Sequence, residues 1–230
     1  GDTGGTNQRE DAMTTRRRVR PGNSTTPAGR FSPQAQYAER AIAVGCMVLA
    51  AARLGIWSRS SLELAVFWPA NALLFGAFIR WPRTLTLGSW IAAIVGYLAA
   101  DLSTGGPWDK TIWLTAANVA GVLAGVITVR WWWSNEDRRL ESPSGVLKMF
   151  ATCAIAAVGA AFPALYCGPT FFDMDVTTTL RSWLSSELAM YLSILPVVLT
   201  FPRLTDAFDR RTPKVLDDLT LASHDGVNGL

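Results

Sequence analysis

The sequence predicts an all-α integral membrane protein, a polytopic bundle of six transmembrane helices, and three observations carry that expectation. Half of the 230 residues are hydrophobic and only 17% are charged, where a soluble domain carries about a quarter. Apolar stretches of near-spanning length, about 20 residues each, follow one another between Tyr37 and Phe201. The chain holds 10 Trp, and Trp57, Trp81, Trp108 and Trp131 to Trp133 stand at the ends of apolar runs, as in the aromatic belt of a membrane surface. A soluble enzyme core does not fit this balance.

Residues 1–36 are rich in Gly, Thr, Arg, Pro and Asn and show almost no apolar periodicity. Such a composition buries too little surface to offset the entropy of ordering, so it reads as a disordered basic tail. The first apolar run follows this long polar stretch, unlike the short charged leader of a cleavable signal, and reads as a permanent span.

Six spans are expected at Tyr37 to Trp57, Leu62 to Ile79, Thr84 to Leu102, Trp108 to Arg130, Gly145 to Cys167 and Thr177 to Phe201. The connections Ser58 to Ser61, Arg80 to Arg83 and Ser103 to Pro107 leave room only for tight turns, which makes successive helices antiparallel neighbours. This defines a transmembrane bundle over 37–202 and a linker over 203–230.

The sequence pI near 9.0 raises the question of nucleic acid, but the cations sit between hydrophobic segments and read as orientation signals, with no nucleic-acid partner. Of the 21 Lys and Arg, 17 fall on one side: in the tail, around Arg80 and Arg83, from Arg130 to Lys148, and from Arg203 to Lys214. Arg53, Arg59, Lys110 and Arg181 fall on the other. The positive-inside rule then places both termini in the cytoplasm.

Small residues recur at helix-contact spacing, Gly88, Ala92 and Gly96 in the third span and Ala117, Gly121 and Gly125 in the fourth. They fit close packing inside the bundle or a homodimer contact. Cys46, Cys153 and Cys167 show no Cys-x-x-Cys spacing and read as apolar fillers, so neither a disulfide framework nor a metal site is expected. The single histidine, His224, lies outside the spans, which argues against a bis-histidine haem. No phosphate loop, catalytic triad or other catalytic residue is found, and no cofactor is expected.

Asn71, Asn118 and Glu187 lie within apolar spans, where polar side chains face the bundle interior or a water-filled cavity. Counted from the outer helix ends, all three fall roughly 9 to 14 Å below the outer surface at 1.5 Å per residue. They are expected to share a polar pocket in the outer half of the bundle, or alternatively to bond each other or Arg53 and lock it. Pro69, read as lying inside a span, would leave a backbone carbonyl unsatisfied there. Trp68 and Trp183, three and four residues before Asn71 and Glu187, are read as lying on the same helix faces. Arg53 is expected to lift its guanidinium to the outer surface, with a salt bridge to Glu63 or Glu187 as a secondary role.

The run Phe67-Trp68-Pro69-Ala70-Asn71-Ala72-Leu73-Leu74-Phe75, followed by Arg80-Trp81-Pro82 and the small-residue third span, resembles the bacterial membrane-associated sensor domain of the first MASE type. Asn118, Trp183, Glu187 and Pro196 are similar to that family's intramembrane Asn and last-helix pattern. Asn71-Ala72 departs from the small residue and Gly usual there, and six spans stand where members often have eight. The stretch from Leu221 to Leu230, with Asp225, Gly229 and Leu230 at matching positions, resembles the opening of diguanylate cyclase (GGDEF) domains, although Val227 and Asn228 replace the usual Leu and Thr.

The resemblance implies a membrane-embedded sensory input module of a cyclic-di-GMP signalling protein, not itself an enzyme, whose pocket uses Trp68, Pro69, Asn71, Asn118, Trp183 and Glu187. The alternative is a non-catalytic accessory subunit packed on a larger membrane complex. The expected partners are the lipid bilayer and either a membrane protein or a second copy of the chain. Residues 203 to 219 then form either a signalling helix or a linker on the headgroups.

Overall fold

The computed structural model of the protein describes residues 33–58 and 67–200. Six α-helices occur among them: α1 (Pro33–Trp57), α2 (Pro69–Arg80), α3 (Leu87–Leu102), α4 (Trp108–Trp132), α5 (Pro143–Phe171) and α6 (Val176–Thr200). No strand occurs among the described residues, so the chain is all-α. Four helices, α1 from Gln34, α4, α5 and α6, are long and apolar enough to cross a membrane, and α3 is a shorter apolar helix.

Local chemistry sets the helix ends. Thr86 caps α3 by accepting from the Ser89 N–H at 3.2 Å, and Ser142 caps α5 by accepting from Gly145 at 3.1 Å. Asp175 does the same for α6, taking the N–H groups of Thr177 and Thr178 at 2.9 and 3.0 Å. The Thr178 hydroxyl and these bonds hold its carboxyl below the ordinary value. Between α3 and α4 the chain reverses through Gly105 at φ +84, a backbone region that favours glycine.

Three boundaries differ from the sequence expectation by four residues or more. Pro33 to Gln36, expected in the tail, form the first turn of α1, since proline is preorganised at the first helical position. The second span is expected from Leu62, but Phe67 and Trp68 are not helical and α2 begins at Pro69. Pro69 is therefore at N1, where its missing N–H has no helical partner to lose, and the expected broken hydrogen bond inside a span does not arise. With 12 residues, α2 is only about 18 Å long. In contrast α5 overruns its expected end at Cys167 and continues through Pro163 and Pro169 to Phe171. The expectations for residues 1–32, 59–66 and 201–230, including Arg59, Glu63, His224, the linker and the cyclase-like stretch, fall outside the described residues.

The core is built on close backbone approach. A Cβ on Gly96 of α3 would lie 2.7 Å from Gly45 O of α1, and one on Gly121 of α4 would lie 2.8 Å from Ala160 Cβ of α5. The small-residue faces of α3 and α4 are thus occupied within the chain. Large apolar side chains such as Ile91, Val95, Ile112, Ile127, Val158 and Phe162 point outward, the arrangement of a bundle whose solvent is lipid. Exposed Trp57, Trp81, Trp108 and Trp131 mark its two ends. In the middle sits α2, packed on α1, α4 and α6 and buried at nearly every residue from Pro69 to Ile79. Its C-terminal end is tied to α6 by Arg80, whose Nη1 donates to Leu199 O at 2.7 Å.

Candidate functional site

Four helices place one polar side chain each at a common point. Asn71 stands in the first turn of α2, Tyr97 in the middle of α3, Asn118 in the middle of α4 and Glu187 in the middle of α6, all buried. The Asn71 amide Nδ2 donates to Asn118 Oδ1 at 2.9 Å and to Glu187 Oε1 at 2.7 Å. Its Oδ1 accepts from the Tyr97 hydroxyl at 2.7 Å. Both donors of the carboxamide are therefore used, and Asn71 is the hub through which α3, α4 and α6 are joined.

The cluster extends one turn further along α6. Glu187 and Tyr191 are both buried, and their side chains interact with each other. Tyr191 lies one turn after Glu187, on the same face of α6, with its ring edge-on to Phe75 at a centroid distance of 5.8 Å. Its hydroxyl points towards Gly121, where a Cβ would lie 3.2 Å away. One turn before Glu187, the Trp183 indole N–H is also buried and without a partner among the described residues.

The other expected residues are placed differently. Trp68 is the non-helical residue just before α2, at φ −126 and ψ 78, and is not on a helix face with Asn71; its ring packs over Gly55 of α1. Its indole N–H has no partner among the described residues. Pro69, beside it, is buried. Arg53 bonds neither Asn nor Glu187 in this arrangement: its Nη1 donates to Ser103 Oγ at 2.8 Å, joining the C-terminal ends of α1 and α3.

Two members of the site, Tyr97 and Tyr191, escape a search for costly polar groups, because tyrosine in an apolar run reads as a belt or packing residue. The four-residue spacing from Glu187 is the available signal for Tyr191. For Tyr97 the signal is its mid-helix position, far from either interface. Among the described residues no group of three or more His, Cys, Asp or Glu is arranged to hold a metal ion.

A second buried polar centre lies in the α4–α5 connection. Asp137 accepts from the Ser134 N–H at 2.7 Å and hydroxyl at 2.9 Å and pairs with Lys148 at 2.8 Å. Nearby, the Trp133 indole donates to Thr152 Oγ1 at 2.9 Å. These contacts fold the loop back on the start of α5.

Comparison with known families turns this architecture into an identity. The family model MASE1 matches residues 40–222. The chain belongs to the MASE1 family. MASE1 membership makes it a membrane-associated sensor domain, in agreement with the multi-pass helical bundle. This MASE1 chain is also similar to the probable diguanylate cyclase DgcF of Escherichia coli O157:H7, at 25% identity over 143 residues, which is 60% of this chain and 29% of that protein. The matched region thus spans under a third of the relative's length. No solved structure matches the chain.

Proposed function

We propose that this MASE1 domain is the sensory input module of a bacterial cyclic-di-GMP signalling protein and does no catalysis itself. The carrying observation is the bond between Asn71 and Glu187, which ties the helix leading into residues 201–230 to the buried α2. A small solute or membrane partner that engages Glu187, Asn71 and Asn118 competes with that bond and favours a second position of α6, because a ligand shifts an equilibrium by its differential affinity for the two states. Trp68, Pro69 and Trp183 complete the pocket, with Tyr97 and Tyr191 added.

The domain sits in the cytoplasmic membrane with α2 and α3 completing six crossings and both termini inside. Arg80, Arg83, Arg130 and Lys148 lie towards one end of the bundle and Arg53, Lys110 and Arg181 towards the other, which supports that orientation. Residues 203–230 then link α6 to a cyclase domain.

The test is to fuse the chain at Leu230 to a diguanylate cyclase domain and measure cyclic-di-GMP in cells. Asn71→Ala and Glu187→Gln fusions, at matched membrane levels, are expected to change the output severalfold. Unchanged output from folded variants would overturn the reading.

A further inference from the structure

The groups around Glu187 offer it hydrogen bonds and no positive charge. From α2, Asn71 Nδ2 donates to Oε1 at 2.7 Å. Tyr97 of α3 and Asn118 of α4 reach the same point through Asn71. Asp101, one turn beyond Tyr97, is buried and itself acidic. On α6 the Tyr191 side chain interacts with Glu187, and Cys153 of α5 is near enough to act on Tyr191. The cations of the described residues are placed elsewhere. Arg53 donates to Ser103 and Arg80 to Leu199 O, Arg40 stands over Tyr37 and Lys110 over Phe172, and Lys148 pairs with Asp137. Arg83, Arg130 and Arg181 are exposed, and Arg138 and Arg139 lie in the α4–α5 connection. Among the described residues none of these is left to neutralise a carboxylate at position 187.

Burial decides which form of the carboxyl group suits this arrangement. Asn71, Tyr97, Asn118, Glu187 and Tyr191 are each at most 5% exposed. A carboxylate taken out of water costs far more than a hydrogen-bonded neutral group, and proteins keep one inside when a cation pairs with it. The neutral acid meets no such cost: its carbonyl oxygen accepts from Asn71, and its O–H can donate to the Tyr191 hydroxyl, which accepts as well as donates. An ionised Glu187 needs water instead. Water reaches a closed junction between α2 and α6 when α6 draws away, so loss of the proton and departure of α6 are one event. The proton is also the solute whose binding requires no cavity.

We propose that the proton is the ligand of this site: α6 stays against α2 while Glu187 is the neutral acid and leaves as Glu187 ionises, so that rising pH drives the module to its second position. Because the packed state carries the proton and the departed state does not, the ratio of departed to packed grows with pH, by up to tenfold per pH unit for one proton. Glu187→Gln imitates the neutral acid and holds α6 in place at every pH. The proposal rests on the reading of the Asn71–Glu187 junction as the responsive element and names what it responds to.

The experiment uses the full chain in lipid bilayers, with no cyclase domain attached. Infrared spectra taken from acid to alkaline pH separate the carbonyl stretch of a protonated carboxylic acid from that of a carboxylate. The unaltered chain is expected to show an acid band at neutral pH that fades at alkaline pH and is missing from Glu187→Gln. Isotopic labelling of glutamate identifies the same band with no substitution, because Glu39, Glu136 and Glu141 are exposed where Glu187 is buried. Hydrogen-exchange protection of α6, taken relative to the intrinsic rate at each pH, is expected to fall with the band by up to tenfold per pH unit, and to stay flat in Glu187→Gln. No Glu187 acid band at neutral pH, a band indifferent to pH, or an equal fall in protection in Glu187→Gln overturns the proposal. Neither measurement needs a signalling output. A titrating band with a fusion that ignores Glu187→Gln would overturn the sensory reading alone, and a fusion that responds to Glu187→Gln without such a band would overturn the proton alone.

Discussion

The Tyr97 hydroxyl donates to Asn71 Oδ1 over 2.7 Å, on the opposite end of the carboxamide from the two bonds to Asn118 and Glu187. One side chain on α2 thus carries three interhelical hydrogen bonds. Such bonds in membranes contribute about 0.6 kcal/mol on average and about 1.7 at most. Asn71→Leu is expected to destabilise the bundle by about 1 to 3 kcal/mol and Tyr97→Phe by about 1 or less. Glu187→Gln keeps an oxygen acceptor for Asn71 and is expected to stay near wild type. Unfolding in mixed detergent micelles measures all three, and an Asn71→Leu protein as stable as the parent would remove the hub from the account.

Packing at α4 and α5 makes a separate prediction. At Gly121 an added methyl group meets Ala160 Cβ at 2.8 Å and Ala156 O at 3.0 Å, neither of which can swing aside, whereas at Gly88 the nearest atom is 3.7 Å away. Gly121→Ala is expected to cost about 1 to 3 kcal/mol through overpacking, and Gly88→Ala to be tolerated. Thermal stability in detergent compares the two directly.

Acid sensitivity is localised. Lys148 and Ser134 hold the Asp137 carboxyl at about 2, well below its ordinary value. Such a group binds fewer protons folded than unfolded, so its contribution is full above about pH 4 and is lost as pH falls towards 2. Hydrogen-exchange protection over residues 134–142, taken relative to the intrinsic rate at each pH, should fall across that window. Asp137→Asn should show the fast exchange already at neutral pH and lose the dependence.

Orientation is open to a direct check. Alkaline phosphatase inserted at Gly105 should be active in cells and one inserted at Asn135 inactive, with a cytoplasmic reporter showing the opposite pattern. The reverse result would turn the bundle over.

What can be read from the sequence divides by physical cause. The bulk solvent shows in composition, so Ile112 and Phe162 belong to apolar runs of lipid-spanning length, and both face outward in the fold. Costly groups are also legible: Asn71, Asn118 and Glu187 stand out because hydrocarbon tolerates few of their kind. Cheap groups are not, and Tyr97 and Tyr191 pass as packing residues. Hydropathy misplaces the start of α2 because it runs unbroken through Trp68 and Pro69, while the helix boundary depends on proline's fixed φ at N1. The end of α5 is misplaced in the other direction, four residues short of Phe171. Neighbouring helices re-satisfy freed carbonyls in a bundle, so neither Pro163 nor Pro169 ends the helix.

The burial of α2 sets an order of events during synthesis. Asn71 leaves the ribosome 116 residues ahead of its partner Glu187, which at a translation rate of about 5 to 20 residues per second is roughly 6 to 23 s. Through that interval the second helix exists without the last wall of its enclosure, and its carboxamide must be held by the translocon, by water, or by Tyr97 and then Asn118 as they follow. Biogenesis of this bundle is therefore completed by its sixth helix.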